Sequence, residues 1–81
     1  MQRPHSIDPQ VFIEVMHLAG CRVGPSNPEL VTLINPAEPG VRSIVRMKED
    51  LRTRTIEAHL RNLRISEESF LKWFDHYVDR S

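Results

Sequence analysis

The sequence of 81 residues contains one cysteine, Cys21, and no long hydrophobic run. A single cysteine cannot form a disulfide within the chain, which excludes the disulfide-stapled class of small proteins. No stretch approaches the roughly 20 apolar residues that a membrane-spanning helix needs. The first residues, MQRPHSIDP, lack the apolar segment of a signal peptide. We therefore expect a cytoplasmic protein.

Residues arranged for metal binding or catalysis are also scarce. No two histidine, cysteine or carboxylate residues stand at a spacing typical of metal ligands, so no metal and no other cofactor is expected. The four histidines are His5, His17, His59 and His76. We expect solvated or hydrogen-bonded roles for them and assign no catalytic residue. His17 and His59 are the alternatives if the protein is a nuclease that uses a histidine base.

The net charge is zero, with 11 basic and 11 acidic residues, but the charges are unevenly placed. Residues 42–64 hold seven cations and three carboxylates, a net +4, whereas the segments on either side are each −2. The seven cations are Arg42, Arg46, Lys48, Arg52, Arg54, Arg61 and Arg64. A basic segment of this kind is typical of a contact with nucleic acid or with an acidic partner. The alternative is a solvated surface whose charges pair locally.

The spacing of apolar residues and the positions of turn residues predict three helices and three strands. The first helix is predicted at 9–19, the second begins with Thr53 as its N-cap, and the third is predicted at 66–80. The strands are predicted at 21–23, 30–35 and 41–47. In the third strand, one face is formed by Val41, Ser43, Val45 and Met47. The other face is formed by Arg42, Ile44 and Arg46. Residues 1–7 are predicted to be a loose start.

This order predicts an α+β fold, α-β-β-β-α-α, with a three-stranded antiparallel sheet covered on one face by helices. Residues 8–81 form a single domain in this interpretation, and the helix at 66–80 is an extra C-terminal element.

Several strings in the chain resemble the HicA-type mRNA interferase toxins. LAGCRV resembles the end of the family's first helix and the start of its first strand, INP the end of its second strand, and GVRSIV its third strand. Lys48 to Ser66 resembles the entry to its second helix and the helix itself, with Leu51, Thr55, Ile56 and Leu60 at positions where the family keeps similar residues. The acidic-led SEESFL resembles a tail found in many members.

The resemblance implies a double-stranded-RNA-binding-domain-like fold, an association with RNA and an antitoxin-like protein partner. It does not carry the family's nuclease chemistry, because an ungapped comparison places Pro28, Glu29 and Leu30 where the family has a Gly-Ser-His triplet with the catalytic histidine. Leucine cannot transfer a proton. We therefore expect an RNA-binding or regulatory protein without catalysis, which binds RNA through the seven cations of the third strand and second helix.

Two alternatives remain at the level of the sequence. One is an active but divergent mRNA interferase. The other is a protein-interaction module, with a second copy of the chain as one candidate partner, because the last helix concentrates aromatic residues. Its predicted contact residues are Phe70, Trp73 and Tyr77, of which Trp73 lies off the main apolar stripe.

Overall fold

A computed structural model describes residues 5–80, and within them the chain forms five strands and three helices. The elements are β1 (Ser6–Ile7), α1 (Pro9–Leu18), β2 (Arg22–Ser26), β3 (Leu30–Ile34), β4 (Arg42–Arg46), β5 (Leu51–Arg52), α2 (Thr53–Leu63) and α3 (Glu67–Arg80). The α+β class predicted from the sequence is confirmed.

The main sheet is antiparallel and has the strand order β2-β3-β4. The pairing of β3 with β4 is regular over five residues, from Leu30 opposite Arg46 to Ile34 opposite Arg42. The pairing of β2 with β3 is interrupted between Val23 and Ser26, where the register shifts. Tight connections between the strands make this sheet a simple meander.

One face of the sheet is buried and the other is open. In β4, Ser43 and Val45 are buried, while Arg42, Ile44 and Arg46 are exposed. This alternation confirms the prediction for the third strand and follows from the two-residue period of β structure. Helices therefore cover only one side of the sheet.

Helix α1 begins and ends as its sequence predicts. The Asp8 carboxylate accepts a hydrogen bond from the Gln10 backbone N–H at 2.8 Å, and Pro9 occupies the first turn. Gly20 follows the helix with φ of 104°, a left-handed conformation that glycine adopts without strain. The buried face of the helix contains Phe12 and Met16, both fully shielded from solvent.

All three helices contribute to one core. The Phe12 ring of α1 lies with its centroid 5.8 Å from the Phe70 ring of α3 and 5.6 Å from the His59 ring of α2. Near its C-terminal end, α3 also contacts α1: the Tyr77 hydroxyl donates to Glu14 Oε2 at 2.7 Å. Phe12 is thus the side chain that joins the three helices over the sheet.

Three parts of the chain differ from the prediction. The strand predicted at 21–23 is β2, which runs over Arg22–Ser26 and so includes Gly24 and Pro25, residues that favour turns. Ser6–Ile7 pairs with Leu51–Arg52 in a small second sheet, so these two residues are not part of a loose start, whereas residues 1–4 lie outside the described residues. A two-residue strand has no periodicity that a sequence pattern could reveal. Thr53 is also not the N-cap of α2. The N-cap is Arg52, in an extended conformation and without a side-chain capping bond, because pairing with β1 holds it in β5.

Between residues 5 and 80, no helix is both long enough and apolar enough to span a membrane.

Candidate nucleic-acid interface

The uncovered side of the main sheet presents a continuous surface, which we call the open face. By strand alternation and register it comprises Arg22, Gly24, Leu30, Thr32, Ile34, Arg42, Ile44 and Arg46. Ile44 retains 55% of its exposure and Leu30 38%, so apolar groups as well as cations meet solvent here.

The open face carries three arginines and no carboxylate. Arg22 and Arg42 both lie opposite Ile34, so they flank the central strand in one row. Neighbouring strands are about 4.8 Å apart, which separates these two Cα atoms by about 10 Å. Arg46 lies four residues along β4, about 13 Å from Arg42. Among residues 5–80, no carboxylate pairs with any of the three.

Gly24 shapes the middle of this surface. A Cβ atom at this position would lie only 2.6 Å from Ile34 Cδ1. The missing side chain therefore lets Ile34 lie across β2 without clashing. The middle of the open face, between the arginines, is therefore apolar and does not protrude.

The cations of α2 lie on the other side of the molecule. Helix α2 packs on the covered side of the sheet through Ile56, Leu60 and Leu63. Arg54 and Arg61, seven residues apart, are exposed and project from the opposite side of the helix. The seven cations predicted to form one surface therefore divide between the two sides of the molecule.

Two of the predicted cations have acidic neighbours. Lys48 Nζ lies 2.9 Å from Glu29 Oε1, and Arg64 donates to Glu38 Oε1 at 2.8 Å. Lys48, Glu29 and Arg64 are largely exposed and Glu38 is partly exposed, so each pair contributes about 0–1 kcal/mol to stability. Arg52 is exposed at the junction of β5 and α2. Of the predicted RNA-binding residues, the sheet gathers only Arg42 and Arg46, and it adds Arg22.

A second polar feature lies between β4 and α2. Ser43 Oγ and His59 Nδ1 are 2.6 Å apart, and Asn62 Nδ2 donates to the same Ser43 oxygen at 3.3 Å. The Ser43 hydroxyl can donate to Nδ1 or accept from Nδ1–H, so the tautomer of His59 sets the direction of this bond. Ser43 therefore holds the imidazole through its Nδ1 side, and Asn62 holds Ser43.

His59 also lines a groove of about 320 Å³, which we call the β4–α2 groove. Its other lining residues are Ile44, Arg46, Glu49, Asp50, Leu51 and Thr55. Every buried side-chain nitrogen or oxygen in residues 5–80 has a hydrogen-bond partner, and no protein group in that range binds Nε2. His59 is 8% exposed, and the groove is one surface that it lines.

Burial lowers the pKa of His59 below its ordinary value of 6.5. The unfolded chain consequently takes up a proton at this position at a higher pH than the folded protein does. The stability contributed by the neutral ring is fully present above pH 6.5 and is lost as the pH falls from there through the lower, folded-state pKa.

We therefore expect the free energy of unfolding to decline below pH 6.5, by at most about 1.4 kcal/mol per pH unit from this residue. Urea denaturation of the protein and of His59→Asn between pH 7.5 and 5.5 measures this contribution, since the other titrating groups are common to both. The variant should show a shallower decline. Equal slopes in the two proteins would contradict the assignment.

The other candidate residues are less suited to chemistry. His17 is exposed on α1 and lines an apolar hollow of about 430 Å³ with Leu18, Val23 and Tyr77. Cys21 is 2% exposed, and burial raises the pKa of its thiol, so it stays protonated. Within residues 5–80, no group of three potential metal ligands is close enough to hold an ion.

The proposed aromatic contact surface on α3 needs correction. Phe70 is 1% exposed and belongs to the core, so it cannot contact a partner. Trp73 and Tyr77 are half-buried. Tyr77 is bound to Glu14, and the Trp73 ring is covered in part by Lys72, whose Nζ lies 5.3 Å from the ring centroid. The aromatic residues of α3 mainly fix the helix to the rest of the domain.

Sequence reasoning missed two features of the site. Arg22 lay outside the basic segment, and only the register of β2 brings it beside Arg42. The Ser43–His59 bond joins residues 16 apart. A polar residue at an inward position of the third strand, and a histidine on the apolar side of the second helix, were the available signals.

Comparison with known proteins identifies no relative: no protein-family model, no curated protein and no solved structure matches this chain.

Proposed function

We propose that this protein binds RNA without cleaving it, through the open face, as a regulatory protein related to the HicA-type toxins. The observation that carries the proposal is the presence of three arginines, each without a carboxylate partner in residues 5–80, on a sheet face that has no acidic residue. Apart from the two-residue strands β1 and β5, the elements from α1 to α2 follow the order α-β-β-β-α that the resemblance implies.

The chemistry of the open face favours the RNA backbone over the bases. It contains no aromatic residue, so it offers no ring on which an unpaired base could stack. Guanidinium groups instead form paired, charge-assisted hydrogen bonds with phosphate oxygens. Double-stranded RNA is bound largely through phosphates and 2′-hydroxyls, so a duplex is the favoured ligand.

The same geometry favours binding over catalysis. Leu30, at the position of the family's histidine, lies on the open face opposite Arg46 and has no titratable group. His59 is 8% exposed and its Nδ1 is hydrogen-bonded to Ser43 Oγ, so the ring is poorly placed to act as the base that a nuclease needs. An antitoxin-like partner remains a proposal that rests on the resemblance.

The proposal is tested by titrating a fluorescent 16-base-pair RNA duplex with the protein at several salt concentrations. Three neutralised phosphates predict that log K falls against log salt with a slope between about −2 and −3. The duplex should remain intact after incubation. Absence of binding at 50 mM salt, or a slope near zero, would contradict the proposal; shortened RNA products would instead favour the interferase alternative.

A further inference from the structure

One edge of the β4 backbone is hydrogen-bonded to β3. The other edge is not paired with a strand in residues 5–80. The Met47 N–H donates to the Glu29 carbonyl at 2.9 Å, and the Asn35 N–H donates to the Val41 carbonyl at 3.0 Å. These bonds fix the alternation of the ladder, so that the odd-numbered residues of β4 bond to β3. The N–H and C=O groups of Arg42, Ile44 and Arg46 therefore point away from the sheet.

No other strand within residues 5–80 pairs with that edge. β4 is the last strand of the sheet, and no group in residues 5–80 bonds to the outward backbone of these three residues. The opposite edge of the sheet, in β2, is protected by Pro25 and by an irregular register. β4 has no proline, and its pairing with β3 is regular. A regular, unpaired edge of this kind can accept a further strand.

A second copy of the chain is a poor occupant of the edge. An antiparallel pair of β4 strands centred on Ile44 would place Arg42 opposite Arg46 of the other copy, twice. Like charges directly opposite one another destabilise a strand pair, whereas opposite charges stabilise it. The two arginines thus discourage self-association and select a strand that carries carboxylates.

We propose that β4 binds an extended acidic peptide as a fourth antiparallel strand of the sheet. In this complex two carboxylates, four residues apart, lie opposite Arg42 and Arg46, and a β-branched apolar residue lies opposite Ile44. The intervening side chains point toward the helices. There the β4–α2 groove provides room; Thr55 and His59 line it together with the carboxylates Glu49 and Asp50, which favour uncharged side chains at these intervening positions.

This inference does not depend on RNA binding. It rests on backbone groups rather than on the open face as a whole, although both ligands would use Arg42 and Arg46. A bound acidic strand would consequently compete with RNA, and the peptide experiment below is performed without RNA so that the two proposals fail separately.

The probe is the peptide acetyl-Thr-Glu-Thr-Val-Thr-Glu-Thr-amide, added to the full chain and followed by amide hydrogen exchange in NMR spectra. Without peptide, the amides of Ser43 and Val45 should exchange slowly and those of Arg42, Ile44 and Arg46 quickly. Saturating peptide should slow the exchange of these three and leave Ser43 and Val45 unchanged. Binding that leaves the three amides fast would overturn the proposal, as would their protection by higher protein concentration alone, because that result indicates a second copy.

Two controls test the chemistry of the occupant. The same peptide with lysine in place of each glutamate should bind about tenfold more weakly or worse, since two attractive cross-strand pairs become repulsive. Ile44→Pro removes one outward N–H but no bond to β3, so it should reduce binding of the acidic peptide at least about tenfold. Ile44→Val, which keeps the N–H and a β-branched side chain, should lose much less affinity than Ile44→Pro. Equal affinity for the two peptides would overturn the charge argument even if Ile44→Pro fails to fold.

Discussion

Replacement of Phe12 by alanine is expected to lower the free energy of unfolding by about 3–5 kcal/mol. The Phe12 side chain is fully buried, and its ring contacts Phe70 of α3 and His59 of α2 while belonging to α1. Truncation of a buried phenylalanine costs about 3–5 kcal/mol, because apolar contacts are lost and a cavity remains. A domain of this size has a total stability of roughly 4–12 kcal/mol. The variant should therefore be largely unfolded at 37 °C if the stability lies near the lower end of that range.

Urea denaturation followed by circular dichroism measures this effect. Two matched variants define its origin. Phe12→Leu keeps most of the volume and should cost less than about 1.5 kcal/mol. Phe74→Ala truncates a half-buried aromatic of α3, so its cost should lie well below that of Phe12→Ala. A loss below 1.5 kcal/mol for Phe12→Ala would show that the three helices do not depend on this side chain.

The parts of the fold that the sequence predicts are those with strong local signals. Asp8, Pro9 and Gly20 mark the ends of α1 through capping and backbone preferences, and each acts within a few residues. The alternation in β4 separates Ser43 from its exposed neighbours Arg42 and Ile44 by a period of two. These signals depend on neighbours in the chain, so they survive without knowledge of the tertiary structure.

The features that were missed depend on distant contacts. β5 forms because Leu51 and Arg52 meet β1, more than 40 residues earlier in the chain, and this pairing also displaces the expected N-cap at Thr53. The basic segment was expected to form one surface because its residues are close in sequence. Arg46 lies on the open face of β4, whereas α2 packs on the covered face of the sheet. Arg54 of α2 is therefore on the other side of the molecule, although it is only eight residues away in the sequence.

Charge reversal on the open face is expected to weaken RNA binding by at least about 100-fold. Each arginine that bonds to a phosphate contributes a charge-assisted hydrogen bond, and three such contacts together account for a loss of this size. Glutamate at the same positions would also repel the phosphates. All three arginines are exposed and none supports the core, so the fold should be retained.

A matched variant separates this local effect from the change in overall charge. Reversal of three cations outside the open face changes the net charge equally and leaves the open face intact. These cations are Arg52, Arg54 and Arg61, all exposed. Glutamate at positions 52 and 54, at the start of α2, interacts favourably with the helix dipole, whereas Arg61→Glu in the last turn interacts unfavourably. Each effect is about 0.3–1 kcal/mol and they oppose one another, so this variant should remain folded. At 150 mM salt, where screening acts over about 8 Å, its RNA affinity should fall less than tenfold.

The comparison of these two variants by fluorescence anisotropy, with the same RNA duplex at 150 mM salt, tests most directly whether the open face binds RNA. The account predicts that Arg22→Glu/Arg42→Glu/Arg46→Glu binds at least tenfold more weakly than Arg52→Glu/Arg54→Glu/Arg61→Glu. Equal affinities, or a greater loss in the helix variant, would contradict it.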